Sequence, residues 1–172
     1  MADALVHVEG EVRELIRRSG LDPTRHPAEI DRLVRDAVTD YDDRSMRAGM
    51  PALADLDETV KSILDTVAGY GPLQRYFDDP LVEEIWVNSP DRVFVARRGQ
   101  AELTTTILTA DEVRDLVERM LRSSGRRVDL SSPFVDATLP DGSRLHVVIP
   151  DITRDHWHLN VRKFVVRADH LD

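Results

Sequence analysis

The sequence predicts an α+β protein: a bundle of three helices, followed by a mostly antiparallel sheet with one helix packed on it. Three observations lead there. Across residues 1–67 the apolar residues recur at helical spacing. Beyond Gly69 the pattern changes to short runs rich in β-branched and aromatic residues, separated by turn signals. Between two groups of such runs lies one amphipathic stretch with residues suited to capping a helix at both ends.

The first helix carries Leu5, Val8, Val12, Leu15 and Ile16, and Gly20 supplies its stop. Ile30, Leu33, Val34, Ala37, Val38 and Tyr41 form the stripe of the second, which starts near Pro27 and ends before Gly49-Met50-Pro51. Leu53, Leu56, Val60, Ile63, Leu64 and Val67 mark the third. Each has a single apolar face that must be covered, and mutual packing into a bundle over residues 1–67 is the simplest solution. "GYGPL", starting at Gly69, punctuates the chain, so a second domain is expected over 68–167. There "EIWVN" and "RVFVAR" flank the turn "SPD", and "RRGQ" leads into "AELTTTIL", which makes a three-strand meander. Thr109 and Asp111 offer N-cap oxygens to a helix bearing Val113, Leu116, Val117, Met120 and Leu121, closed by Gly125. "FVDATL", the turn "PDGS", "RLHVVI" and "HLNVRKFVV" complete the strands.

Composition narrows the chemistry. Hydrophobic residues make up 41% of the 172 and charged ones 32%, enough for a core and a well-solvated surface. There is no cysteine, which excludes disulfides, thiolate zinc sites and a cysteine nucleophile. No apolar run approaches the ~20 residues that span a bilayer. The opening "MADALVHVEGEVREL" lacks the basic lead and apolar stretch of a secretion signal, so a cytoplasmic location without membrane insertion is expected. The net charge of -9 is unevenly spread. Residues 1–70 hold 15 acids against 9 bases, whereas residues 119–167 hold 9 bases against 5 acids. That distribution disfavours nucleic acid as a partner for the whole chain and leaves room for a local anion site. No aromatic ladder accompanies the basic segment, as binding of single strands requires.

The basic residues near the end of the chain include Arg144, Arg154, Arg162, Lys163 and Arg167. Strand alternation puts Arg162 and Lys163 on opposite faces. On "SRLHVVI" it groups Arg144 with His146 and Val148, and sends Leu145, Val147 and Ile149 to the core. Arg144 and Arg162 can then stand on one sheet surface, where guanidinium groups grip phosphate bidentately. The same residues also suit a plain solvated face with salt bridges to Asp141 or Asp155. Arg126 and Arg127, in "SGRRVD", are a second basic pair, equally suited to the dipole at a helix C-terminus. His156 and His158 share a strand face, but nothing fixes a third ligand, so no metal is expected. Glu83 and Glu84 adjoin and point apart, a poor acid/base pair. Neither a Walker A loop, nor GxGxxG, HExxH or GxSxG occurs in the sequence, and no catalytic residue is assigned.

"GYGPLQRYFDDPLVEEIWVNSPDRVFVARRG", "GRRVDLSSPFVDATLPDGSRLHVVIP" and "VRKF", in this order, resemble the N-terminal domain of type II/IV secretion-system ATPases. The branch they resemble is the one serving Flp/Tad pilus assembly, and the leading helices are similar to its N-terminal bundle. The resemblance implies a hexameric cytoplasmic motor that binds ATP and Mg, docked on an inner-membrane platform protein. It places the ATPase core after the "RKF" strand, with residues 168–172 as the start of a linker, so that this chain alone is expected to be inactive. It also implies that arginines of the N-terminal domain close over nucleotide held by the core. By position these are Arg144 and Arg162, followed by Lys163, Arg126 and Arg127. Thr138 stands where the commonest family form has an arginine, which marks either a subfamily variant or the loss of one such contact. The rival expectation is a protein-interaction module that docks a platform or regulatory partner through the acidic helices.

Overall fold

The computed structural model describes residues 2–150 and 155–164. Arg154, Arg167 and the linker expected over 168–172 lie outside the described residues. The chain divides into two compact units, Met1–Gly71 and Pro72–Asp172. The α+β class read from the sequence is the one observed.

The first unit contains helices α1 (Ala2–Ser19), α2 (Pro27–Ala48) and α3 (Leu56–Val67). Their apolar stripes meet in one core: Ala4, Val8 and Val12 from α1, Ile30 to Tyr41 from α2, and Val60 and Ile63 from α3. Pro27 opens α2, where its missing N–H costs nothing, and Gly49 ends it in the left-handed conformation at φ 65°. Asp55 caps α3 by accepting a hydrogen bond from the Glu58 N–H at 2.9 Å. The buried Tyr41 satisfies its hydroxyl by donating to the Pro51 carbonyl at 2.9 Å. Arg44 pairs with Asp40 on its own helix and with Glu11 of α1, tying the first two helices together at their surface.

A 3-10 turn (Gly71–Leu73) leads into the second unit, which starts with the short helix α4 (Gln74–Asp78). It continues with strands β1 (Val82–Ser89), β2 (Arg92–Arg97) and β3 (Gln100–Leu103), which form the expected meander. Helix α5 (Ala110–Arg122) starts in a full capping box, in which Thr109 and Glu112 each accept the other's backbone N–H. Strands β4 (Phe134–Thr138), β5 (Arg144–Val148) and β6 (His158–Arg162) follow. The six strands pair antiparallel throughout in the order β3-β2-β1-β6-β5-β4. The last strand in sequence thus lies near the centre, between β1 and β5.

Most buried residues of this unit come from one face of the sheet and one face of α5, the two layers of an α+β arrangement, and Leu73, Tyr76 and Leu108 add to them. Ile85, Val87, Val93, Val95, Leu145, Val147, Leu159 and Val161 supply the sheet, and Val113, Leu116, Val117, Met120 and Leu121 the helix. This burial fixes the register, because a slip of one residue would send a whole strand's apolar set to solvent. The opposite face of β4, β5 and β6 is open, and it carries the polar residues that alternate with the core set.

Candidate anion-binding site

Arg144 is positioned by the tight turn that precedes it. Leu139 and Ser143 are joined by a bond from the Leu139 N–H to the Ser143 carbonyl at 2.8 Å, closing a three-residue loop of Pro140, Asp141 and Gly142. Proline suits the first corner, and Gly142 takes the left-handed conformation at φ 87° that ends such a loop. Asp141 holds the exit by accepting from both the N–H and the hydroxyl of Ser143, each at 2.9 Å. Asp141 therefore braces the turn instead of pairing with Arg144.

The strands then set the side chains in rows. Arg144 stands opposite Arg162 on β6 and Thr138 on β4. One step along, His146 faces Asn160 and Asp136. With Leu145 and Val161 in the core, Arg144 and Arg162 share the open face, as strand alternation required. Two like charges directly across a strand pair repel and are destabilising without a counter-charge. Arg162 is half-compensated: its Nε and Nη2 both lie 3.1 Å from the same oxygen of Glu84, on the neighbouring strand β1. Arg144 has no ion pair among the described residues.

Arg126 joins them from the far end of α5. Ser124 turns its hydroxyl back to the Leu121 carbonyl at 2.7 Å and accepts the Arg126 N–H at 3.2 Å, while Gly125 takes φ 67° between them. The result is a cleft of about 740 Å³ in which Arg126, Arg144 and Arg162 face Asp136, His146 and Asn160. Its one lining carboxylate, Asp136, is occupied by the His146 ring, with Nδ1 at 2.8 Å. Three guanidinium groups, two of them without a carboxylate partner, have the chemistry to hold a multiply charged anion.

The remaining two basic residues lie elsewhere. Arg127 is exposed and does not line the cleft. Lys163 projects from the other side of β6, where Nζ donates to the carbonyls of Tyr76 at 3.0 Å and Asp79 at 2.6 Å. It caps the end of α4 and ties the last strand to the segment before β1. Partial burial lowers its pKa, against the opposing pull of Asp79, Asp141 and Asp78. Glu84 and the Asp136–His146 pair were not assigned to a site from the sequence, because their contacts depend on which strands become neighbours.

Comparison with known proteins gives this geometry a context. No protein-family model matches the chain. An uncharacterized protein of Methanocaldococcus jannaschii is 30% identical over 94% of this chain and 21% of its own length. The VirB11 protein of Agrobacterium fabrum is 30% identical over 46% of this chain and 23% of its own length. The type IV secretion system protein VirB11 of Bartonella quintana is 26% identical over 62% and 30%, respectively. Among solved structures, the VirB11 ATPase of the Brucella suis type IV secretion system, in complex with sulphate, superposes with a TM-score of 0.54 at 27% identity. That match covers 58% of this chain and 32% of the other. The chain is thus homologous to part of VirB11, a secretion ATPase of the type II/IV kind, and spans less than a third of the length of these relatives.

Proposed function

We propose that this chain is the nucleotide-closing and partner-docking N-terminal region of a secretion or pilus-assembly ATPase, with the Flp/Tad branch as the nearest fit to its sequence motifs. The observation that carries this reading is the Arg144–Arg162 cross-strand pair, joined by Arg126 in one open cleft. Such a cluster is costly without an anion and favourable with one. Homology to VirB11, an ATPase, supports reading that anion as the phosphates of ATP, which would be bound with Mg by an ATPase core in the complete protein. Closure of the guanidinium groups over those phosphates would neutralise developing charge, which is how arginines accelerate phosphoryl transfer elsewhere. The region would then move against its core as a rigid body, held shut by nucleotide and released on hydrolysis. The complete protein would work as a cytoplasmic hexamer at an inner-membrane platform. The purified 172-residue chain is expected to hydrolyse no ATP. Magnesium-dependent turnover by it, abolished in Arg144→Ala, would contradict the proposal.

A second role is favoured by a separate observation on the helical unit. Leu15, Leu33 and Ala37 line an apolar groove of about 440 Å³ together with Glu29, Asp36, Arg32 and Asp40, the last paired with Arg44. Leu15 is 42% exposed there. An apolar groove with acidic residues along it suits a basic amphipathic helix of a partner protein. Glu29→Lys with Asp36→Lys is expected to weaken capture of such a helix roughly tenfold while leaving the far-UV circular dichroism unchanged. Unchanged capture would remove this role.

A further inference from the structure

Besides its arginines, the cleft holds a titratable pair whose geometry has a chemical consequence. The Nδ1 of His146 lies 2.8 Å from Asp136 Oδ1, across the β4–β5 register. A carboxylate only accepts, so Nδ1 carries a proton, and whenever the ring is neutral Nε2 is an acceptor. His146 lines the same cleft as Arg126, Arg144 and Arg162, and its Nε2 has no partner among the described residues. Beside an anion, an acceptor nitrogen repels the anion's oxygens, and Asp136 adds a negative charge. Protonation reverses both effects: Nε2 becomes a donor, and the pair becomes net neutral. Imidazole is the side chain that makes this change between about pH 5 and 8.

We infer that His146, held by Asp136, is a further anion-contacting residue of this cleft and couples phosphate or sulfate binding to uptake of one proton at Nε2. The inference rests on the reading of the cleft as an anion site. The groups that face His146 are Asp136 on β4, Arg144 on its own strand, Asn160, Arg162 and His158 on β6, and Arg126 beyond α5. His158, two residues along the same face of β6, is the one other imidazole on this row of strands. It needs its own control.

Sulfate is the suitable probe, because its charge stays fixed over this pH range while that of inorganic phosphate does not. Isothermal titration of the chain with sulfate at pH 5.5 and pH 8.0 is expected to show binding on the order of fivefold tighter at the lower pH. In His146→Gln the pH dependence disappears, whereas His158→Gln keeps it. Binding that is equally tight at both pH values overturns the proton coupling and leaves the arginine site standing. So does a slope that survives in His146→Gln or vanishes in His158→Gln. Absence of sulfate binding at both pH values overturns the anion site and the coupling together.

Discussion

Replacing Arg144 and Arg162 together with alanine is expected to weaken sulfate binding to this chain by about a hundredfold or more, without destabilising it. Each guanidinium makes a charge-assisted contact worth about 1.5–3 kcal/mol, and every 1.4 kcal/mol is a factor of ten. The stability half of the prediction is the more informative. Arg144 is exposed, has no ion pair among the described residues and stands directly opposite a like charge. Removing both arginines ends the repulsion and gives up one exposed pair with Glu84, worth about 0–1 kcal/mol, so the unfolding midpoint should stay within about 5 °C. A residue kept for structure would show the reverse, a fall in stability with no effect on binding. Arg127→Ala and Lys163→Met serve as controls, since neither side chain lines the cleft. Both are expected to leave sulfate affinity within about twofold, although Lys163→Met also strips a donor from two carbonyls. In the complete protein, Arg144→Ala and Arg162→Ala should lower ATP turnover with the fold intact.

Ile85→Ala is expected to have the largest effect on stability. Ile85 is fully buried on β1, with Val95 and Val161 as its neighbours on the two flanking strands. Its register with β2 is regular from Glu84 to Val87, between irregularities at Val82/Glu84 and Val87/Ser89. Truncating a buried isoleucine costs about 2–5 kcal/mol. For a unit of this size that lowers the melting transition by roughly 10–25 °C, measurable by calorimetry or circular dichroism. A shift under about 3 °C would mean that β1 does not anchor the sheet core. The consequence reaches the cleft, because β1 holds β6, and β6 sets Arg162 against both Glu84 and Arg144.

How much of this was legible in the sequence depends on how local each signal is. The apolar stripes of α1, α2 and α3, the turn signals of the meander and the capping residues of α5 are short-range features, and the elements formed where they point. Strand parity was enough to put Arg144 and Arg162 on one surface and Lys163 on the other, because it depends only on alternation and on knowing which residues are apolar. The short helix α4 was missed: "LQRYFDD" has too few turns for a helical period to show. The place of β6 between β1 and β5 was also out of reach, since it pairs residues far apart in the chain. From that one topological fact follow the partners that sequence could not supply. Glu84 meets Arg162, where Asp141 and Asp155 had been the candidate counter-charges. The amine of Lys163 meets backbone carbonyls, which carry no side-chain signature at all. The Asp136–His146 contact needed the exact hairpin register, which the three-residue loop at Pro140 sets. Of the adjacent pair Arg126 and Arg127, only the first lines the cleft, a distinction made by the Ser124–Gly125 turn.

Whether Arg126, Arg144 and Arg162 form one anion site is decided by side-chain Nε–Hε NMR of the chain's arginines during a sulfate titration. The resonances of these three are expected to shift together and saturate with a single dissociation constant, while Arg127 and the helical unit's Arg32 and Arg47 stay in place. Small shifts spread evenly over all arginines, growing without saturation, would contradict a single site and leave this face as an ordinary solvated surface.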